Sequence, residues 1–149
     1  MQDAPACEPE RIIYHLVPES ELRAGIVAGD YAPRGLEAQG FIHCASGTET
    51  TLAVAGDYFG ALREPLLVLE IDTQRLTREL RFEAAAPIEG GGTAHLQTAL
   101  EFPHVYGPID LAAIRGVAAL GSGGNYAWPA RFESLSSRLG KGPRGKFRS

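Results

Sequence analysis

Residues 66–71, which read Leu-Leu-Val-Leu-Glu-Ile, constrain the fold more than any other part of the chain. Apolar side chains occupy both alternating faces over most of this run. A strand of that kind is stable only where both of its faces are covered by other elements. We therefore expect residues 66–71 to form a strand in the middle of a sheet, with the core built around it.

Apolar, β-branched or aromatic runs predict the other strands of the sheet. They cover residues 12–17, 41–44, 80–82 and 114–120. Residues 102–108 pack two aromatics, a histidine, two prolines and a glycine into seven positions. This segment is either a strand-to-turn corner or a wall for a planar ligand. Five or six strands are thus expected.

Two main helices are predicted in the N-terminal half. The first spans residues 18–28, because Pro18 suits a first helical turn and apolar residues then recur at helical spacing up to Gly29. The second begins at Ser46, which together with Glu49 has the spacing of a capping box. Residues 30–40 contain a proline and two glycines and are expected to be loop. The strands and helices together indicate an α+β fold.

Length and charge favour one domain with a basic tail. A chain of 149 residues suits a single domain, which we expect over residues 11–130 after a flexible leader at 1–10. Six of the 14 Lys and Arg residues lie beyond Pro129, so residues 131–149 are expected to be a disordered tail. The acidic body argues against a broad nucleic-acid-binding face, and only weak contacts of the tail with polyanions are expected.

Composition points to an ordinary globular protein in the cytoplasm. The chain is 44% hydrophobic and 21% charged, which excludes collagen and wholesale disorder. No apolar run approaches the ~20 residues of a membrane helix, and the first ten residues lack a secretory pattern. Cys7 and Cys44 lie far apart in the sequence and are expected to be reduced thiols.

Histidines are the chemical groups that stand out. His15 lies three residues before Pro18, and His43 lies three residues before Ser46, so each follows a strand and precedes a predicted helix start. Free amides and the helix dipole favour an anion such as phosphate at such a place. The alternative is a buried, hydrogen-bonded structural histidine. No histidine pair has a recognised metal-ligand spacing, so no metal is expected.

Three segments carry a resemblance to a known family. They are Ile-Tyr-His-Leu at 13–16, Gly-Phe-Ile-His-Cys at 40–44 and Phe-Pro-His-Val-Tyr-Gly-Pro at 102–108. Together they resemble the small bacterial family catalogued as domain of unknown function nine-five-two, over residues 11–120. The resemblance implies a fold like that of the ADP-ribosyltransferases, with a split, mostly antiparallel sheet.

The same resemblance implies a site for NAD or a related nucleotide. His15 falls where those enzymes hold a ribose of NAD, and His43 falls at their second motif. Glu101 is the nearby carboxylate that would support a developing positive charge, and an exposed surface glutamate is the alternative. Taken together, the sequence and the resemblance give His15, His43 and Glu101 as the expected catalytic residues, and His15, Tyr14, Arg34, His43, Ser46, His104 and Tyr106 as the expected ligand contacts.

Three functions follow as expectations. The first is the binding of a nucleotide or NAD-like ligand, with ADP-ribosyl or 2'-phosphate transfer as its catalytic form. The second is a non-catalytic ligand-binding or regulatory module with the same cleft. The third is a histidine-based metal hydrolase.

Overall fold

The computed structural model describes residues 11–84 and 101–140. The helices and strands follow one another as β1 (Ile12–Pro18), α1 (Glu19–Gly25), β2 (Ile26–Val27), β3 (Asp30–Tyr31), α2 (Arg34–Gln39), β4 (Ile42–His43), α3 (Thr48–Phe59), β5 (Leu66–Asp72), β6 (Glu79–Ala84), β7 (Glu101–Tyr106), β8 (Ile109–Asp110), β9 (Ile114–Ser122), β10 (Asn125–Tyr126) and α4 (Leu135–Gly140). Within these residues, no helix has the length and apolar character needed to cross a membrane.

The largest sheet is built around β5, as its apolar run predicts. Its strand order is β1-β5-β9-β10, and every pairing is antiparallel. The four residues from Leu66 to Leu69 have no exposed surface. Both faces of the strand are therefore covered, which is why the sequence can be apolar on both of them.

Two small antiparallel sheets complete the fold, with strand orders β2-β3-β8 and β4-β7-β6. An isolated bridge between Tyr14 and Ala45 joins β1 to the segment that follows β4. In the sheet of β4, β7 and β6, one face sends Leu80 and Val105 into the core. The opposite face pairs His104 with Arg81 on one side and with His43 on the other.

The α+β class is confirmed, but the element count is not. The described residues form ten short strands in three sheets, where five or six strands in one split sheet were expected. They also form four helices instead of two main ones. Part of the difference lies in residues 30–40, predicted as loop, which hold β3 and α2.

The first helix ends earlier than its glycine suggests. It stops at Gly25, and the β-branched residues Ile26 and Val27 begin a hairpin. Ala28 and Gly29 both have positive φ, 45° and 88°, and form the hairpin turn. Gly29, which was predicted to end a helix, therefore forms part of a tight turn between two strands.

The predicted capping box at Ser46 is also wrong. Helix α3 begins at Thr48, and its N-cap is Gly47, whose φ is 82°. No side chain caps the helix, and Thr51 instead donates its hydroxyl to the Gly47 carbonyl oxygen at 2.7 Å. The Ser46 hydroxyl is buried and has no hydrogen-bond partner among the described residues.

The first half of the predicted tail belongs to the domain. The backbones of Glu133 and Val117 exchange two hydrogen bonds, and Leu135 packs against the core. Arg138 forms ion pairs of 3.1 Å with Glu19 and 3.4 Å with Glu133. The prediction of a disordered tail rested on its charge. It was wrong for this part, because the cationic and apolar side chains here have partners elsewhere on the fold. The leader 1–10, residues 141–149 and His95 lie outside the described residues.

Ending the chain at Ala130 is expected to destabilise the protein relative to a chain that ends at Gly140. The shorter form loses the backbone bridge to Val117, the Arg138 ion pairs and the packing of Leu135. We expect a melting temperature lower by about 5 °C or more, since roughly 1 kcal/mol corresponds to about 2–4 °C in a domain of this size. Calorimetry of the two forms checks this, and equal melting temperatures would show that α4 adds no stability.

Candidate ligand-binding site

A cavity of about 270 Å³ lies between β1, the segment around β4, and helices α2 and α3. Its wall is mainly apolar. Six aromatic side chains contribute to it: Tyr14, Tyr31, Phe41, Tyr58, Phe59 and Phe102. Three histidines line the same space: His15, His43 and His104. The structure thus brings together His15 and His43, each of which lies three residues before a predicted helix start. It places His104, from the 102–108 segment, beside them.

His15 lies on β1 and uses both ring nitrogens within the protein. Nδ1 donates to the His43 carbonyl oxygen at 2.7 Å, and Nε2 accepts from the Tyr31 hydroxyl at 2.8 Å. Burial lowers the pKa of His15 to about 4, so the ring is neutral at pH 7. His15 therefore joins β1 to β4 and fixes Tyr31, and in this arrangement neither nitrogen is available to a ligand.

His43, on β4, is also neutral. Burial, followed by the neighbouring His104 and His15, lowers the pKa of His43 to about 4. Its Nε2 donates to the Oε1 atom of Gln39 at 2.6 Å. Because Gln39 is the last residue of α2, this bond ties the end of that helix to β4.

His104 is held by a carboxylate. Its Nδ1 lies 2.8 Å from Oε1 of Glu83, and the same oxygen accepts from the Tyr106 hydroxyl at 2.6 Å. Those two hydrogen bonds lower the pKa of Glu83, so its carboxylate is ionised. Arg81 adds a positive charge beside them, with its guanidinium 4.5 Å from the Tyr106 ring centre and 3.9 Å from Glu83.

The rings of His43, His104 and Phe41 pack together in the wall of the cavity. Phe41 stacks on His104 with ring centres 4.2 Å apart and interplanar angle 24°. His43 meets His104 edge to face at 5.3 Å and Phe41 at 4.8 Å. The three rings restrict one another, so this part of the wall is pre-formed.

Charged groups are scarce in the wall. Among the described residues that line it, Glu21 carries the one charge, and none is Lys or Arg. Arg34 pairs with Glu21 at 3.3 Å, but its side chain is 80% exposed and is not part of the lining. Within the described residues, no group of three or more His, Cys, Asp or Glu side chains could hold a metal ion.

The remaining predicted site residues lie in different places. Tyr14 lines the cavity, and its ring also meets Trp128 at 4.9 Å. Tyr106 is outside the lining, but its ring centre lies 5.3 Å from that of Phe41, and its hydroxyl donates to Glu83, which binds His104. Ser46 and Glu101 are not in the lining, and Glu101 is an exposed residue at the start of β7.

Sequence reasoning missed Tyr31 and Glu83. Glu83 had a usable signal, since residues 79–83 alternate polar and apolar and so place three charged side chains on one strand face. Tyr31 had none, because it lies in a segment that its proline and glycines marked as loop.

Acidification is expected to destabilise the fold through His15. In the folded state the pKa of His15 is about 4, against its ordinary value of 6.5, so only the unfolded chain binds a proton between these values. Stability is therefore present above pH 6.5 and lost as pH falls toward 4, by on the order of 3 kcal/mol for this group. Urea unfolding at several pH values checks this. A His15→Gln variant should show a shallower decline, and an equally steep one would assign the effect to other groups.

Comparisons with known proteins identify a family whose description names no activity. A family model described as "Protein of unknown function (DUF952)" matches residues 16–117. The crystal structure of protein CC0527 from Caulobacter crescentus is similar, with a TM-score of 0.56, 25% identity, and coverage of 86% of this chain and 97% of that one. A double mutant of CC0527 matches with the same TM-score and coverage and 24% identity. No curated protein matches the chain. None of these comparisons supports the expected likeness to ADP-ribosyltransferases.

Proposed function

Because the chain belongs to the DUF952 family, whose description names no activity, we propose from its own geometry that the domain binds a small ligand through a planar aromatic ring. A nucleobase or a nicotinamide ring has the required shape. The observation that carries the proposal is the cavity itself, in which an aromatic wall surrounds imidazoles that are neutral at pH 7. Aromatic walls of this kind favour flat ligands through stacked and edge-to-face contacts.

The size of the cavity supports a small ligand or one portion of a larger one. Its volume of about 270 Å³ lies just below the range of about 300–1,000 Å³ for drug-sized ligands. A single ring with one substituent suits this volume better than a whole dinucleotide does. The mainly apolar wall with a few fixed polar groups is also typical of small-molecule sites.

If the ligand is a nucleotide or NAD, the charge of the cavity wall favours an orientation with the aromatic ring inside the cavity and the phosphates outside it. Phosphates need cations or free amides, and the described lining has no Lys or Arg. Arg34, which pairs with Glu21 of the lining, is the cation closest in sequence to the cavity residues Pro33 and Gly35. Phosphates of a bound nucleotide would therefore lie toward Arg34 and solvent.

A non-catalytic module has more support than an ADP-ribosyl or phosphate transferase. Breaking the bond between nicotinamide and ribose develops positive charge, which needs an electrostatic partner. Glu101 does not line the cavity, and both nitrogens of His15 are engaged within the protein. The transferase stays a second candidate because Glu83 and His104 form a carboxylate–imidazole pair that could move a proton.

A thermal-shift series tests the proposed function. We expect benzamide, nicotinamide and adenine to raise the melting temperature by a few degrees at concentrations far above their dissociation constants. Ribose 5-phosphate, which has phosphate and no aromatic ring, should have no effect, and neither should zinc. Release of nicotinamide from NAD would favour the transferase instead. If no ring compound stabilises the protein, the proposal is wrong.

A further inference from the structure

We infer that Nε2 of His104 is a hydrogen-bond acceptor of the cavity, held in that role by Glu83. The cavity then selects aromatic ligands that carry an N–H or O–H donor, such as carboxamides, ring amines and phenols. The choice of ligand rests on the proposed function, whereas the protonation pattern of His104 does not. Neither Glu83 nor a donor-bearing ligand class follows from the family or from the similar structures.

The pairing with Glu83 fixes which nitrogen of His104 carries the proton. An ionised carboxylate has no proton to donate, so Nδ1 of His104 must donate to Glu83 across their 2.8 Å contact. When the ring carries one proton, that proton is therefore on Nδ1, and Nε2 keeps a lone pair and accepts. The Tyr106 hydroxyl strengthens the arrangement, because it donates to the same Glu83 oxygen and helps to keep the carboxylate ionised.

The ring of His104 is held in place in the wall of the cavity. The ring lines the cavity, is 2% exposed, and is stacked on Phe41, so its orientation is restricted. Among the residues that the structure describes, nothing forms a hydrogen bond with Nε2. An acceptor in the cavity wall that has no protein partner favours a ligand that supplies a donor, since such a ligand gains a hydrogen bond there.

The neighbouring imidazole does not compete for this lone pair. His43 meets His104 edge to face at 5.3 Å, but its Nε2–H is already donated to Gln39. His15 is excluded in the same way, because Nδ1–H donates to a carbonyl and Nε2 accepts from Tyr31. The lone pair of His104 is therefore available to the cavity.

The protonation pattern is tested on the unliganded protein by long-range ¹H–¹⁵N NMR of the imidazoles at pH 7. We expect His104 in the Nδ1–H form in the wild type. Glu83→Gln should shift it toward a mixture, because a carboxamide can either accept from Nδ1 or donate to it. Glu79→Gln is the matched control, since Glu79 lies on the same strand and pairs with Arg81 without touching His104. An Nε2–H ring or a doubly protonated ring in the wild type, or equal shifts in both variants, would overturn the inference.

Ligand selection is tested with benzamide and acetophenone, which have the same shape and the same carbonyl. Benzamide has N–H donors where acetophenone has a methyl group. We expect the ratio of their affinities to favour benzamide about threefold to tenfold more in the wild type than in His104→Phe. The phenylalanine keeps the stack on Phe41 and removes the acceptor. An unchanged ratio would refute donor selection by His104.

The two measurements separate this inference from the proposed function. If neither probe binds the wild type, the proposed function and the ligand class both fail, while the NMR result still decides the role of Glu83. If both probes bind but His104→Phe leaves their ratio unchanged, the proposed function stands and the inference fails. Should His104→Phe not fold, Glu83→Gln serves in its place, with an expected ratio closer to one than in the wild type.

Discussion

Replacing His15 with alanine is expected to lower the free energy of unfolding by about 3 kcal/mol. The imidazole forms two hydrogen bonds, one to the backbone of β4 and one to Tyr31. Tyr31 has no exposed surface, so its hydroxyl would lose its partner inside the protein. Removing the ring also leaves an empty volume between β1 and β4.

A double-mutant cycle with Tyr31→Phe isolates the hydrogen bond between the two side chains. Alone, Tyr31→Phe should cost about 1 kcal/mol, because it removes the donor to Nε2. In the His15→Ala background the same change should be neutral or stabilising, since it removes an unpaired hydroxyl. Urea denaturation of the four proteins gives these values. Additive effects would show that the contact contributes nothing to stability.

Filling the cavity from α3 is expected to reduce the affinity for benzamide about tenfold or more. Val54 lines the cavity, and a tryptophan at this position would occupy the space that the proposal reserves for the ligand ring. Overpacking of a tight core typically costs about 1–3 kcal/mol, but here the added ring enters open volume, so Val54→Trp should stay folded.

The control for this variant is Val27→Trp, which adds the same ring outside the cavity. Val27 lies on β2, is 58% exposed and is absent from the lining. Calorimetric titration with benzamide should give wild-type affinity for Val27→Trp and much weaker binding for Val54→Trp. Equal affinities for both variants would place the ligand elsewhere.

The elements that could be predicted from the sequence are those whose apolar pattern is compatible with few environments other than the core. Residues 66–71 form a central strand because few other environments accept apolar side chains on both faces. The end of α1 could not be read in the same way. Gly29 suits a helix stop and a hairpin turn equally well, and the choice depended on pairing between Ile26 and Tyr31. That contact belongs to the tertiary structure.

The site was predictable only in part, because its hydrogen bonds also depend on tertiary contacts. His15 and His43 could be placed together from their equal spacing before helix starts, although the second helix begins later than expected. Their hydrogen bonds could not, because these depend on Tyr31 and Gln39 from separate segments. Glu83 reaches His104 through the register of β6 against β7, which no local pattern specifies.

The central claim is that an aromatic ring binds between the histidines and the aromatic wall of the cavity. NMR of the complex with benzamide tests it most directly, through nuclear Overhauser contacts between ring protons of benzamide and those of the protein. We expect contacts to His43, His104 and Phe102, which all line the cavity. Contacts confined to residues outside the lining, such as Val27, or none at saturating benzamide, would contradict the account.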